Sequence, residues 1–220
     1  MKKTLPLLWF TALLAACGQD QDTTTAKDTP AIEDNQTNTA EKTEPKAPVA
    51  KDDGLVANGA KPVKLAGGYK FTEGPAVAPN GDVYFTDIPN NRVHKWDVAA
   101  KKVSTFMENS GGANGLFFSK EGDLFACQGE SKRVTSFYLE DGGEKELLAD
   151  QYDGRPFNKP NDLWVHPNNG VFFSDPNYGK KDLSQDGEHL YFITPYRDQV
   201  IRVDKDLKRP NGIIGTPDGK

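Results

Sequence analysis

The chain has 220 residues, with 27 lysines and arginines against 32 aspartates and glutamates, for a formal net charge of −5. Residues 18–53 alone hold nine of the acids and four of the bases. The remainder is close to neutral and lacks the basic stripe of a nucleic-acid surface, so a nucleic-acid partner is excluded.

At the N-terminus, Lys2 and Lys3 precede an apolar run from Leu5 to Ala16, broken only by Pro6 and Thr11 and followed by Cys17. The run is shorter than the ~20 residues needed to cross a bilayer. Its basic start and small-residue end are those of a signal peptide, residues 1–16. Leu14-Ala15-Ala16-Cys17 resembles a bacterial lipobox, which implies cleavage before Cys17 and lipidation of Cys17. The protein is then exported and membrane-anchored, in the periplasm or at the cell surface, by its N-terminal lipid only. An ordinary secretory peptide with an incidental cysteine is the alternative.

Residues 17–53 contain hardly an aromatic or large aliphatic side chain. They cannot bury enough apolar area to fold and read as a disordered linker between the lipid and a domain at residues 54–220. The second cysteine, Cys127, has no intramolecular partner once Cys17 is acylated. It reads as a small buried hydrophobe, since a nucleophile would need a basic neighbour.

From Leu55 the composition turns to short runs of Val, Tyr, Phe, Leu and Ile separated by Gly, Pro, Asn and Asp, which is an all-β pattern. Four segments repeat: residues 73–87, 114–128, 161–175 and 211–220. Each opens on an amide or carboxylate residue, namely Glu73, Asn114, Asn161 and Asn211, and continues with an apolar strand and a turn. The turn glycines Gly81, Gly122, Gly170 and Gly219 lie 8, 8, 9 and 8 residues after the opening residue. Successive units start 41, 47 and 50 residues apart, the period of four-stranded propeller blades. Further strands are expected at residues 92–97, 102–107, 133–139, 190–194 and 199–203. A β-sandwich also has short strands and regular turns, but gives no reason for the repeated opening residue. In a propeller, equivalent residues at the mouths of the innermost strands face one central channel.

A ring of one carboxylate and several amide oxygens suits calcium, which takes 6 to 8 oxygen ligands. The three histidines, His94, His166 and His189, fall outside the repeated position and read as ordinary surface or strand residues, so zinc and copper are disfavoured.

The segments FTEGP (71–75), ANGLFF (113–118), CQGESKRV (127–134), RPFNKPNDL (155–163), FSDPNYG (173–179) and RPNGI (209–213) resemble the family of senescence marker protein, gluconolactonase and luciferin-regenerating enzyme. These are calcium-dependent six-bladed β-propeller hydrolases. The resemblance implies that Glu73, Asn161 and Asn211 ligate a channel calcium, or another divalent cation, while Asn114 lines the channel. It also makes Arg155 and Tyr178 pocket residues for a small-molecule lactone. Asp162 follows a ligand position and by strand alternation should point away from the channel, which leaves it a supporting role. Asp175 reads as turn chemistry or, less simply, as a substrate contact.

The family's lactonases draw an aspartate from a later blade as general base or nucleophile. No such residue is visible, so the catalytic residue is unknown and expected beyond Lys220. Only three complete units and the opening strand of a fourth are present, about three and a half blades. The expectation is a C-terminally truncated member whose sugar-lactone hydrolysis is impaired. An organophosphate-ester hydrolase on the same site, or a non-catalytic ligand- or protein-binding propeller, are the rival functions.

Overall fold

The computed structural model describes Ala57, residues 59–179 and residues 182–219. The signal peptide, the Cys17 lipidation and the linker lie outside the described residues. Among the described residues no helix is long and apolar enough to cross a membrane.

The fold is all-β, as the alternating apolar pattern requires. The first unit runs β1 (Thr72–Val77), β2 (Val83–Asp87), β3 (Arg92–Asp97) and β4 (Lys102–Glu108). The second runs β5 (Ala113–Phe118), β6 (Leu124–Gln128), β7 (Arg133–Phe137) and β8 (Glu144–Ala149). A two-stranded ribbon, β9 (Gln151–Tyr152) with β10 (Arg155–Pro156), precedes the third unit. That unit runs β11 (Leu163–Val165), β12 (Val171–Asp175), β13 (His189–Ile193) and β14 (Val200–Asp204). Each unit is one four-stranded antiparallel sheet in chain order, which makes it a propeller blade.

Neither β8 nor the ribbon was expected. The strand β8 is Glu-Lys-Glu-Leu-Leu-Ala, whose charged half is exposed. An outermost strand gains its structure from the ladder with β7 and needs no apolar alternation to declare itself.

The turns joining first and second strands explain the odd spacing of the third unit. Gly81 and Gly122 both sit at φ +92 and donate their N–H to the carbonyl three residues back, Ala78 and Ser119. In the third unit Asn169 holds this place, at φ 72 with its N–H on the His166 carbonyl. The true equivalent of the turn glycines is therefore Asn169 rather than Gly170, and the offset is eight residues in every unit. Gly219, at φ +80 and bonded to Thr216, repeats the turn a fourth time.

The opening strand expected at Asn211 is not formed, and no strand occurs among residues 205–219. Instead of a ladder, this segment meets single atoms of the third blade. Ser174 Oγ donates to the Asn211 carbonyl at 2.7 Å, and Ile213 N–H donates to Asp162 Oδ2 at 3.3 Å.

The core lies between blades. Every residue of β6 is buried, and alternation shares them between two clusters. Leu124 and Ala126 pack with Tyr84, Val93 and Met107 of the first blade. Phe125 and Cys127 pack with Phe157, Phe173, Tyr191 and Ile193 of the third. Phe173 stands edge-on to Phe157 and stacks on Tyr191, with ring centroids 4.9 and 5.4 Å away. Burial pushes the Cys127 thiol well above its ordinary pKa, with Asp162 and Asp175 adding to the effect. It is the small hydrophobe the sequence implied, not a nucleophile.

Two measurements test this packing. Phe173→Ala should cost about 3 to 5 kcal/mol in urea unfolding, because the site cannot collapse onto the missing ring. Asp175 is fully buried, and burial pushes its carboxyl up to about 7 despite its two backbone N–H bonds. Lys132 pulls it down and Glu188 pushes it up. Because the folded value exceeds the ordinary one, this group's contribution to stability is full below about pH 4 and lost as pH rises through about 7. Asp175→Asn should flatten the dependence of the urea midpoint on pH between 4 and 8, with up to about 4 kcal/mol of slope at stake. An unchanged slope would show that Asp175 does not hold the proton.

Candidate functional site

Three blades and the segment after them bring their repeated opening residues together. Glu73, Asn114, Asn161 and Asn211 line one cavity of about 240 Å³. Asp162 and the apolar side chains Leu116, Phe117, Leu163, Ile213 and Ile214 complete its walls.

The backbone at this mouth is irregular, by a register shift in the first two blades and by a late ladder in the third. The ladder of β1 with β2 shifts register between Glu73 and Ala76, and that of β5 with β6 shifts between Ala113 and Leu116. In the third blade the ladder begins only at Leu163, just past Asn161 and Asp162. Blade-to-blade bonds take over at these points. Thr86 Oγ1 shares its one proton between the carbonyls of Glu73 in its own blade and Asn114 in the next, at 3.1 and 3.0 Å, and Gly115 N–H donates to the Asn161 carbonyl at 2.7 Å. The approach is too close for side chains. Gly74 has φ +50, and a Cβ there would collide with the Asn114 carbonyl oxygen, as one on Gly115 would with Asp162 Oδ1.

This irregularity corrects the reading of Asp162. Alternation holds only inside a paired strand, and Asp162 precedes one. Its carboxylate lines the cavity instead of turning away. Oδ1 accepts the N–H of Leu163 at 2.9 Å, and Oδ2 accepts that of Ile213 in the next segment at 3.3 Å. Burial pushes the Asp162 carboxyl above its ordinary value, and the nearby charge of Glu73 adds to that, against the pull of these two bonds.

Asn161 is only 7% exposed, yet its side-chain amide has no hydrogen-bond partner among the described residues. The residue lines the cavity, so its amide oxygen is open to a ligand there. Asn211 donates its amide N–H to Tyr178 Oη at 2.8 Å, and that hydroxyl donates onward to the Arg209 carbonyl at 3.1 Å. Tyr178 thus orients a ring residue. Arg155 does not join them: it is exposed on the β9–β10 ribbon and lines no part of this cavity. Asp175 is also elsewhere, and it makes no local turn: its carboxylate accepts the N–H groups of Asn158 and Lys159, 17 and 16 residues upstream. None of the three histidines lines the cavity. His94 packs against Tyr69 and Phe85, His166 against Trp164, and His189 pairs with Asp186.

The donors are all oxygen, from two carboxylates and three amides, which fits a hard divalent cation such as calcium. Such a cation would relieve the raised Asp162 carboxyl beside Glu73. Glu73, Asn161 and Asn211 are the residues that would hold it. Among the described residues no group of three or more His, Cys, Asp or Glu side chains is placed to hold a metal ion.

The chain is similar to known gluconolactonases. The gluconolactonase of Zymomonas mobilis subsp. mobilis is 27% identical over 173 residues, covering 70% of this chain and 48% of that protein. The X-ray structure of a candidate gluconolactonase superposes with a TM-score of 0.66 at 31% identity, over 74% of this chain and 58% of that one. A gluconolactonase of Xanthomonas campestris gives 0.63 at 25% identity, over 67% and 52%. The chain thus spans about half the length of the curated gluconolactonase it matches. Residues 71–220 match the SMP-30/Gluconolactonase/LRE-like region, and the chain belongs to that family.

Proposed function

We propose that the chain carries part of the site of a calcium-dependent hydrolase acting on a small sugar lactone, such as an aldono-1,5-lactone. The observation that supports this most is the convergence of Glu73, Asn114, Asn161 and Asn211, residues far apart in sequence, on one cavity. Family membership supports the reaction class.

A bound divalent cation supplies Lewis-acid polarisation of an ester carbonyl. The residues of the chain prepare the place for it. Glu73 brings the negative charge, and Asn161 and Asn211 bring neutral oxygens. Tyr178 accepts the Asn211 amide N–H, which leaves the amide oxygen as the group without a protein partner among the described residues. Asp162 ties the third blade to Ile213 and so fixes the spacing of Asn161 and Asn211. Leu116, Phe117 and Ile213 give the cavity apolar walls that limit water beside the ester. No general base is assigned among the lining residues, so turnover by these 220 residues is expected to be weak, and metal binding is the property to measure. The lipobox-like end at Cys17 supports an exported, lipid-anchored protein in the cell envelope.

Calcium titration followed by calorimetry tests the reading. Glu73→Gln removes the charged ligand and should weaken binding at least tenfold, with any calcium-stimulated lactone hydrolysis falling alongside. If Glu73→Gln binds calcium as the native chain does, the channel is not a metal site. A parallel assay with a phosphotriester separates lactone from organophosphate chemistry.

A further inference from the structure

The last residue of each second strand reaches back to the chain that leads into its blade's innermost strand. In the first blade Asp87 accepts the N–H groups of Lys70 and Phe71, each at 3.2 Å to Oδ1. These lie three and two residues before Glu73. In the third blade Asp175 accepts the N–H groups of Asn158 and Lys159, at 2.8 and 2.7 Å. These lie three and two residues before Asn161. The same offset recurs in blades whose sequences otherwise differ.

A hydroxyl precedes each carboxylate and bonds the backbone at or beside the ring residue itself. Thr86 Oγ1 bonds the Glu73 carbonyl, and Ser174 Oγ accepts the N–H of Asp162 at 3.2 Å while donating to the Asn211 carbonyl. Both carboxylates are buried, Asp87 at 1% and Asp175 at 0% exposure. Asp87 is steadied by Asn90, whose Nδ2 donates to its Oδ2 at 2.7 Å.

The second blade departs from this pattern. Its equivalent residues are Cys127 and Gln128. The Gln128 amide donates to the Ser110 carbonyl at 2.7 Å, and its oxygen turns to Arg133 and Thr135 of its own blade. This is the blade of Asn114, the ring residue that is not counted among the three ligands. Carboxylate latches thus stand behind Glu73 and Asn161, and a neutral amide stands behind Asn114.

The physical need is clear from the ladders. Register shifts just after Glu73, and ahead of the regular ladder at Leu163 the third blade has two bonds with Ser174, one from the Asn161 N–H and one to the Asp162 carbonyl, so the strand hydrogen bonds thin out where the backbone must aim a ligand. A carboxylate can accept two N–H groups at once, with charge-assisted strength. An amide oxygen can also accept two donors, as Gln128 Oε1 does, but without the charge.

We propose that Asp87 and Asp175 are positioning residues, each clamping two peptide N–H groups just ahead of Glu73 or Asn161 so that those side chains aim into the channel. The consequence for metal binding rests on the calcium reading of the site.

The test uses the full chain at pH 8, free of metal and then titrated with calcium chloride. NMR of the metal-free protein follows the Asn161 side-chain amide and the backbone signals around Glu73. Asp175→Asn should move the first set and spare the second, and Asp87→Asn should do the reverse. Each should weaken calcium binding about 10- to 100-fold, the usual effect of removing a partner behind a ligand. Asn90→Ala is a milder variant that frees the Asp87 carboxylate without removing it. It should shift the Glu73 signals in the same direction should Asp87→Asn fail to fold. Native calcium affinity in both Asp variants, or signal changes spread evenly over all blades, would overturn the proposal. If the native chain binds no calcium but the blade-specific shifts appear, positioning stands and the metal reading falls. If Glu73→Gln abolishes binding while both Asp variants bind normally, the metal reading stands and positioning falls.

Discussion

The site depends on the way the innermost strands cross-link at their mouths. There the backbone keeps only part of its own sheet's ladder and also bonds to the next blade. The Thr86 hydroxyl spans the carbonyls of Glu73 and Asn114, the Gly115 N–H meets the Asn161 carbonyl, and the Ser174 hydroxyl meets that of Asn211. Every ring residue therefore has its main chain tied to a neighbouring blade or a neighbouring hydroxyl. The spacing of the ring oxygens follows from these short bonds rather than from loops. Gly74 and Gly115 are the condition for it, since the peptides come closer than a side chain allows.

The middle blade transmits that spacing. Its strand β6 is buried on both faces, so one alternating sequence, Leu-Phe-Ala-Cys-Gln, serves two cores. Any change of volume there is felt on both sides, because interiors are packed too densely to absorb it. Cys127 belongs to this constraint. It stands where the other blades have Thr86 and Ser174, and its small apolar body faces the aromatic cluster of the third blade.

The ring was legible in sequence because a propeller repeats its geometry every blade, and a residue type recurring at that period must recur for a spatial reason. Glu73, Asn114, Asn161 and Asn211 were found that way, and so were most strands. What escaped did so for identifiable physical causes. The direction of Asp162 was misread because alternation assumes a paired strand, and pairing starts one residue later. Asn169 was hidden because a glycine stands beside it, although asparagine also tolerates the left-handed region. The strand β8 was missed because an outer strand half exposed to water needs no apolar signature. The pairs Thr86-Asp87 and Ser174-Asp175 were visible as a repeat, but their partners are backbone N–H groups, which carry no sequence signal.

A site assembled this way has a thermodynamic consequence. Each blade contributes one or two oxygens, and no loop carries a complete set, so ligand geometry exists only while the blades hold their mutual spacing. Two carboxylates, Glu73 and Asp162, line the cavity, and the Glu73 charge adds to the burial that pushes the Asp162 carboxyl up. In the proposed reading a cation offsets that charge and takes up the Asn161 amide oxygen at once, so its binding energy acts directly on the cohesion between blades. Metal affinity and the packing of neighbouring blades are then two measures of one equilibrium. A substitution in the inter-blade core, far from any ligand, should weaken the site in proportion to the freedom it gives the blades, whereas one on the exposed half of β8 should leave it alone.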